Sequence, residues 1–206
     1  MEAPERPQLY LVTPAEFELS NFPQILARVL DTHQVACVRL DMASRDEDRV
    51  SRAADTLREI THARDVALVL TEHQVLVERL GLDGVHLADA ARSVRAARKT
   101  LGDDAIVGSF CGTSQHDGMN AGEAGADYIC FGPVTASALG DGSYAPQDLF
   151  EWWSEMIELP VVAEGGLDAA RIAQLTPYTD FFAFGDEIWQ ADDPATRLGE
   201  FIEAMG

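Results

Sequence analysis

Short β-rich runs alternate with longer amphipathic stretches along this chain, and this alternation restricts the fold more than any other feature of the sequence. The runs cover residues 9–13, 36–40, 66–71, 84–87, 105–110, 127–132, 160–163 and 181–184. Most of them are continuously hydrophobic rather than alternating, which is typical of parallel strands covered on both faces. The sequence therefore predicts a parallel sheet with helices packed around it.

The stretches between the runs have the spacing of amphipathic helices. Residues 46–61 carry apolar side chains at helical intervals, and residues 91–101, 148–159 and 194–205 look similar. Strand followed by helix, eight times over, is the pattern of a (β/α)8 TIM barrel, although an open doubly wound sheet alternates in the same way. A length of 206 residues, 47% of them hydrophobic, suits one domain over residues 1–206.

Composition excludes several classes of partner. The formal net charge of −20 argues against nucleic acid and anionic membranes, because both require a basic surface. No apolar run reaches the roughly 18–20 residues that span a bilayer, and the N-terminal residues lack the pattern of a signal peptide. We expect a cytoplasmic protein. Its three cysteines form no CxxC pair, so we expect reduced thiols rather than a zinc site.

Four ordered segments resemble a known family. They are Gly-Val-His-Leu at 84–87, Ala-Gly-Ala-Asp-Tyr at 124–128, Phe-Gly-Pro-Val at 131–134 and Val-Val-Ala-Glu-Gly-Gly at 161–166. In this order and spacing they are similar to thiamine phosphate synthase and its relative, the TenI-type thiazole tautomerase. Residues 9–13 are also similar. The resemblance runs from about Leu9 to the last helix and implies a TIM barrel.

The resemblance also implies a reaction and its cofactor. In that family a phosphorylated thiazole attacks the methylene carbon of a pyrimidine pyrophosphate, and pyrophosphate leaves. Mg²⁺ and basic residues would stabilise the leaving group. The thiazole phosphate would bind at the ends of strands seven and eight, where backbone N–H groups point towards it. The implied partner is thus a small phosphorylated substrate. The resemblance also allows a homo-oligomer.

The chain departs from the family where pyrophosphate is held. After strand two the family carries Gln-Leu-Arg-Glu-Lys, and here the matching residues are Arg-Leu-Asp-Met-Ala at 39–43. Asp41 and Ala43 thus stand where the family has Arg and Lys. In the strand-six loop the family has two Thr and a Lys. Ser137 retains one hydroxyl there, and we predict a catalytic role for it.

Two acidic residues are candidate metal ligands. After strand three the family has Asn-Asp, and here Thr71 and Glu72 follow, so that Glu72 offers a hard oxygen to Mg²⁺. After strand four the family's metal-binding Asp falls on Ala91, and Asp89 is the nearby substitute. Together with Asp41, Glu164 and Asp186, these carboxylates should surround the barrel mouth. They would repel pyrophosphate without a metal, unless they point into solvent or cap helices.

Glycines mark a candidate phosphate site. Gly165 and Gly166 precede a helix, where backbone can approach a phosphate closely. A tight turn without a ligand is the alternative, and the family resemblance favours the phosphate contact. Gly185 and Asp186 could complete the site with their amides. The carboxylates of Asp186 and Glu187 oppose that interpretation.

One histidine is a candidate acid–base group. Ser-Gln-His at 114–116 opens the helix after strand five, and the tautomerase branch has a Ser-x-His near this point whose histidine moves a proton. His116 matches it after a gap, and an N-cap role for Ser114 is the plainer interpretation. Three hypotheses therefore stand: a transferase forming thiamine phosphate, a thiazole tautomerase, and a non-catalytic barrel that binds a phosphorylated metabolite or a partner protein.

The segment 135–146 is the one long loop signal in the sequence. It follows a predicted strand, so in a barrel it lies on the catalytic face. A lid and a plain connector both fit its composition.

Overall fold

A computed structural model of the chain describes residues 6–135 and 142–206. Eight parallel strands close into a barrel in sequence order, with β8 pairing to β1. They are β1 Gln8–Val12, β2 Val35–Leu40, β3 Ala67–Thr71, β4 Gly84–Leu87, β5 Ile106–Phe110, β6 Tyr128–Phe131, β7 Val161–Glu164 and β8 Phe181–Phe184. The predicted (β/α)8 barrel is confirmed, and the open sheet is excluded because both of its edges are absent.

Helices follow the strands around the outside of the barrel. They are α1 Phe22–Thr32, α2 Glu47–His62, α3 Gln74–Leu80, α4 Val94–Leu101, α5 Gln115–Ala124, α6 Gln147–Met156, α7 Ala169–Leu175, α8 Asp186–Trp189 and α9 Pro194–Ala204. A short 3-10 turn, Thr176–Tyr178, precedes β8. Among the described residues, no helix combines the length and apolar character that crossing a membrane requires.

Local signals set the ends of the helices. Asp46 caps α2 by accepting hydrogen bonds from the amides of Asp48 and Arg49. Helix α6 ends at Met156, three residues before the predicted end, and Ile157 is already extended. A residue that precedes proline disfavours helix, so Leu159 before Pro160 could not have continued it.

The barrel has two separate apolar layers, which explains why the strands read as continuous hydrophobic runs. Leu9 and Leu11 face outward into the large core beneath the helices, whereas Tyr10 faces the barrel axis. The inner layer also contains Val69, Tyr128 and other small or aromatic side chains. Above it, polar side chains from β2, β4 and β7 fill the barrel towards its carboxyl end.

Candidate functional site at the barrel mouth

An ion pair crosses the barrel between β2 and β7. The Arg39 guanidinium donates to both carboxylate oxygens of Glu164, Nη1 to Oε2 at 2.8 Å and Nη2 to Oε1 at 3.0 Å. The Arg39 side chain is only 5% exposed and that of Glu164 19%. Burial works against the charge of Glu164, but Arg39 outweighs it and lowers the pKa of this carboxyl to about 2. The pair therefore stays ionised, and the cation of Arg39 is already neutralised.

A chain of hydrogen bonds continues from this pair into the barrel. Arg39 Nη1 donates to His86 Nε2 at 2.9 Å, so the proton of the neutral imidazole must lie on Nδ1. That nitrogen is 2.9 Å from the Tyr128 hydroxyl, which is 2.7 Å from the hydroxyl of Tyr10. Burial and the neighbouring Arg39 lower the pKa of His86 to about 3. The imidazole is thus a neutral link in a buried network, not a titrating acid or base.

Three buried side-chain nitrogen or oxygen atoms of the described residues have no hydrogen-bond partner, and all lie towards the carboxyl ends of neighbouring strands. They are Arg39 Nε, Thr71 Oγ1 and Asp89 Oδ1, after or within β2, β3 and β4. A buried polar atom without a partner costs free energy that a ligand can recover. Among the described residues, the unused hydrogen-bonding capacity of buried side chains therefore lies at the ends of β2, β3 and β4.

A cavity of about 740 Å³ opens beside the ends of β1, β2 and β8. Its described lining contains no lysine or arginine but three carboxylates, Asp41, Asp186 and Glu187. Asp41 lies 3.3 Å from Arg39 Nη2 and is 37% exposed. Ala43 also lines this cavity. The wall next to β2 is therefore acidic rather than basic.

The two candidate metal ligands lie on adjacent loops. Glu72 is exposed, and its Oε1 accepts from the amide of Ala88, the residue before Asp89, at 2.8 Å. Asp89 Oδ2 accepts from the Ser93 hydroxyl, which leaves its buried Oδ1 free. Within the described ranges, no group of three or more acidic, histidine or cysteine side chains is arranged to hold a metal. Two carboxylates can still hold Mg²⁺ when substrate phosphates and water complete its shell.

The backbone around these ligands is strained. Glu72, His73 and Ala90 all have positive φ, between 49° and 60°, a region that side chains with a Cβ rarely adopt. Such residues cost of order 1–3 kcal/mol each and concentrate at functional sites. Their clustering after β3 and β4 agrees with a binding role for this part of the mouth.

The candidate phosphate site has the backbone shape of an anion receptor. Gly165 and Gly166 have φ of 84° and 74°, which turns successive amides of the β7 loop towards one point. The amides of Gly166 and Leu167 donate to Glu187 Oε1 at 3.0 and 3.4 Å, and the amide of Gly185 donates to Oε2 at 2.9 Å. A carboxylate of the chain itself thus occupies the receptor, while Asp186 is exposed.

The remaining candidates are not brought into this geometry. His116 is exposed in the first turn of α5, whose N-cap Ser114 accepts from the amide of Asp117 at 3.1 Å. Ser137 lies outside the described residues, as does much of the loop signal at 135–146. Sequence reasoning missed the contact between Arg39 and Glu164 as well as the role of Glu187. Arg39 lies in a β-rich run and Glu164 directly follows one, but the residue types do not show which partner each one meets.

Comparison with known proteins gives a consistent picture. A family model described as thiamine monophosphate synthase matches residues 9–181. A thiamine-phosphate synthase of Rhodospirillum centenum is 37% identical over 201 residues, which cover 96% of this chain and 97% of that protein. One from Erythrobacter litoralis is 38% identical over 194 residues, 91% of each chain.

Solved structures agree at the level of the fold. A thiamine phosphate pyrophosphorylase from Pyrococcus furiosus superposes with a TM-score of 0.83 at 19% identity, over 96% of this chain and 95% of that one. A 3-hexulose-6-phosphate synthase from Salmonella typhimurium superposes with a TM-score of 0.73 at 15% identity, over 95% and 97%.

Proposed function

The chain belongs to the thiamine monophosphate synthase family, and we propose that it is a slow transferase of that type, with a weak grip on pyrophosphate. In the reaction, a ring nitrogen of the thiazole phosphate forms a bond to the pyrimidine methylene carbon. The bond from that carbon to the pyrophosphate oxygen breaks, and the electron pair leaves with pyrophosphate. Negative charge grows on the leaving group, so catalysis depends on positive charge placed beside it.

The observation that supports a slow reaction is the acidic lining of the described cavity beside β1, β2 and β8; Arg92 and Arg95, near Asp89, line a different cavity. The described lining of the 740 Å³ cavity has no basic side chain. Arg39 is buried and neutralised by Glu164. A charge-assisted hydrogen bond contributes about 1.5–3 kcal/mol, so losing one lowers binding roughly tenfold to a hundredfold. With Asp41 and Ala43 at two of the family's cationic positions, the combined loss should reach about a hundredfold or more.

Mg²⁺ is the cofactor that this proposal requires. Glu72 and Asp89 would hold it, since both offer hard oxygens on adjacent loops and Asp89 Oδ1 has no other partner. Bound there, the ion would supply positive charge to the pyrophosphate oxygens. The chain's own contribution is to orient these two carboxylates through the Ala88 amide and the Ser93 hydroxyl.

The amides near Gly165, Gly166 and Gly185 would hold the phosphate of the thiazole, with Asp186 at the rim. Their support is the convergent geometry of the two loops, which places three N–H groups around one anion. A cytoplasmic location stays part of the proposal, because the reduced state of the three buried thiols suits that compartment.

The test is a steady-state assay of the purified chain with thiazole phosphate, pyrimidine pyrophosphate and Mg²⁺. We expect thiamine phosphate to form well below about 1 per second, the lower end of ordinary enzymatic rates. A turnover at or above that rate would contradict the weak grip. The complete absence of product, with substrates shown to bind, would favour the non-catalytic barrel.

A further inference from the structure

Glu187 holds three backbone amides that come from two different loops. Gly166 and Leu167 lie on the loop after β7, and Gly185 lies at the end of β8. One carboxylate oxygen takes the first two amides, and the other oxygen takes the third. A carboxylate with both oxygens in use presents an anion to the loops much as two oxygens of a phosphate would.

The glycine conformations show why these amides favour an anion. Gly165 and Gly166 are both left-handed, so their neighbouring N–H groups point to the same side of the chain. A Cβ on Gly165 would lie 3.1 Å from Pro133, and one on Gly166 would lie 3.0 Å from Thr135. The loop is therefore held closely against the segment after β6, and the direction of its amides is fixed before any ligand arrives.

We propose that Glu187 is a specificity-determining residue that competes with phosphate for these amides. The inference deepens the proposed function and rests on it for the identity of the ligand. Glu187 lies two residues from Gly185, so its carboxylate is present at an effective concentration at or above the millimolar level of short tethers. A free phosphate must displace it.

The size of the effect follows from the fraction of time during which the amides are open. If Glu187 leaves them open for a tenth of the time or less, the apparent affinity for phosphate falls at least tenfold below that of the open site. The chain should thus discriminate against phosphorylated ligands until this contact opens. Removing the side chain should therefore strengthen phosphate binding at these amides rather than abolish it.

The test uses inorganic phosphate as the probe, with Glu187→Ala and Glu187→Gln in the full chain. Isothermal calorimetry gives the affinity, and ¹H–¹⁵N spectra follow the amide signals of Gly166, Leu167 and Gly185 during the titration. We expect Glu187→Ala to bind phosphate at least tenfold more tightly than the parent, with shifts at these three amides. Glu187→Gln should lie between them, because it keeps the length of the side chain and loses its charge.

The matched control is Asp192→Asn. Asp192 is an exposed carboxylate in the loop between α8 and α9, so its removal changes the net charge equally but frees no amide. An equal gain in Asp192→Asn would show that net charge alone is responsible and would overturn the inference. So would an unchanged affinity in folded Glu187→Ala or, if that variant does not fold, in Glu187→Gln.

This readout is independent of turnover. A transferase assay that fails while Glu187→Ala gains phosphate affinity would remove the proposed function and leave the role of Glu187 in place. Normal turnover of the parent, with no gain in phosphate affinity in Glu187→Ala, would support the proposed function and remove the role of Glu187.

Discussion

Replacing Glu164 by glutamine should destabilise the barrel, because it leaves the guanidinium of Arg39 buried without a counter-ion. The pKa of Glu164 falls from 4.5 to about 2 in the folded chain, chiefly because Arg39 overcomes the cost of burial. That shift corresponds to about 3 kcal/mol of folding free energy at neutral pH. Breaking a buried pair by removing one partner costs about 3–5 kcal/mol in other proteins, so we expect a loss of about 3 kcal/mol.

The pH dependence of this contribution has a definite sign. The folded pKa is depressed, so the stabilisation is complete above about 4.5 and is lost as the pH falls towards 2. Urea unfolding of the parent and of Glu164→Gln, followed by far-ultraviolet circular dichroism at pH 7 and pH 3, measures both effects. The difference between the two proteins should shrink at pH 3.

A surface ion pair provides the control for Glu164→Gln. Asp31 accepts two hydrogen bonds from Arg64 but is 61% exposed, and pairs of this kind contribute about 0–1 kcal/mol. Asp31→Asn should therefore change the free energy of unfolding far less than Glu164→Gln does. If Glu164→Gln costs no more than Asp31→Asn, then burial does not strengthen the Arg39 pair, and the account of the barrel interior is wrong.

Three further predictions concern buried side chains of the barrel and its core. The folded pKa of His86 is lowered to about 3, so its contribution to stability is complete above about 6.5 and is lost as the pH falls. His86→Gln should therefore remove about 2 kcal/mol of the stability loss between pH 7 and pH 5, as measured by urea unfolding. Gly108→Ala would place a Cβ 2.0 Å from Tyr128 Cζ, and we expect it to lower the free energy of unfolding by about 1–3 kcal/mol or more in thermal unfolding. The control is Gly122→Ala, whose Cβ would lie 3.0 Å from a leucine methyl group and which should lower it less. Burial raises the pKa of all three cysteine thiols, so none should react with Ellman's reagent at pH 8 until the chain is unfolded. Rapid reaction of one thiol per chain in the folded protein would contradict this.

The order of strands was predictable from the sequence because each strand is buried on both faces. Runs such as 84–87 have no exposed side to interrupt their hydrophobicity, and Gly84–Leu87 forms β4 with the same bounds. Helix starts were less predictable. Helix α4 begins at Val94 rather than at residue 91. Ala90 just before it has a left-handed conformation, which the residue pattern did not predict.

The contacts of the site could not be predicted from the sequence in the same way. Arg39 and Glu164 are 125 residues apart and meet only because the barrel closes. The sequence predicted Glu164 near the mouth and Arg39 within a strand, but it did not show that one neutralises the other. Glu187 was read as an argument against an anion site, whereas the loop geometry makes it the anion that the amides hold. Such pairings depend on the direction of backbone N–H groups, which residue types do not encode.

The most direct test of the account restores positive charge at the end of β2. In the double variant Asp41→Arg with Ala43→Lys, both cations face the cavity whose described lining has none, and turnover to thiamine phosphate should rise about tenfold or more. The matched control, Asp41→Asn with Ala43→Gln, changes the same positions without adding a cation and should gain far less. If the parent already turns over at an ordinary rate and the double variant is no faster, the missing cations do not limit this enzyme, and the central claim fails.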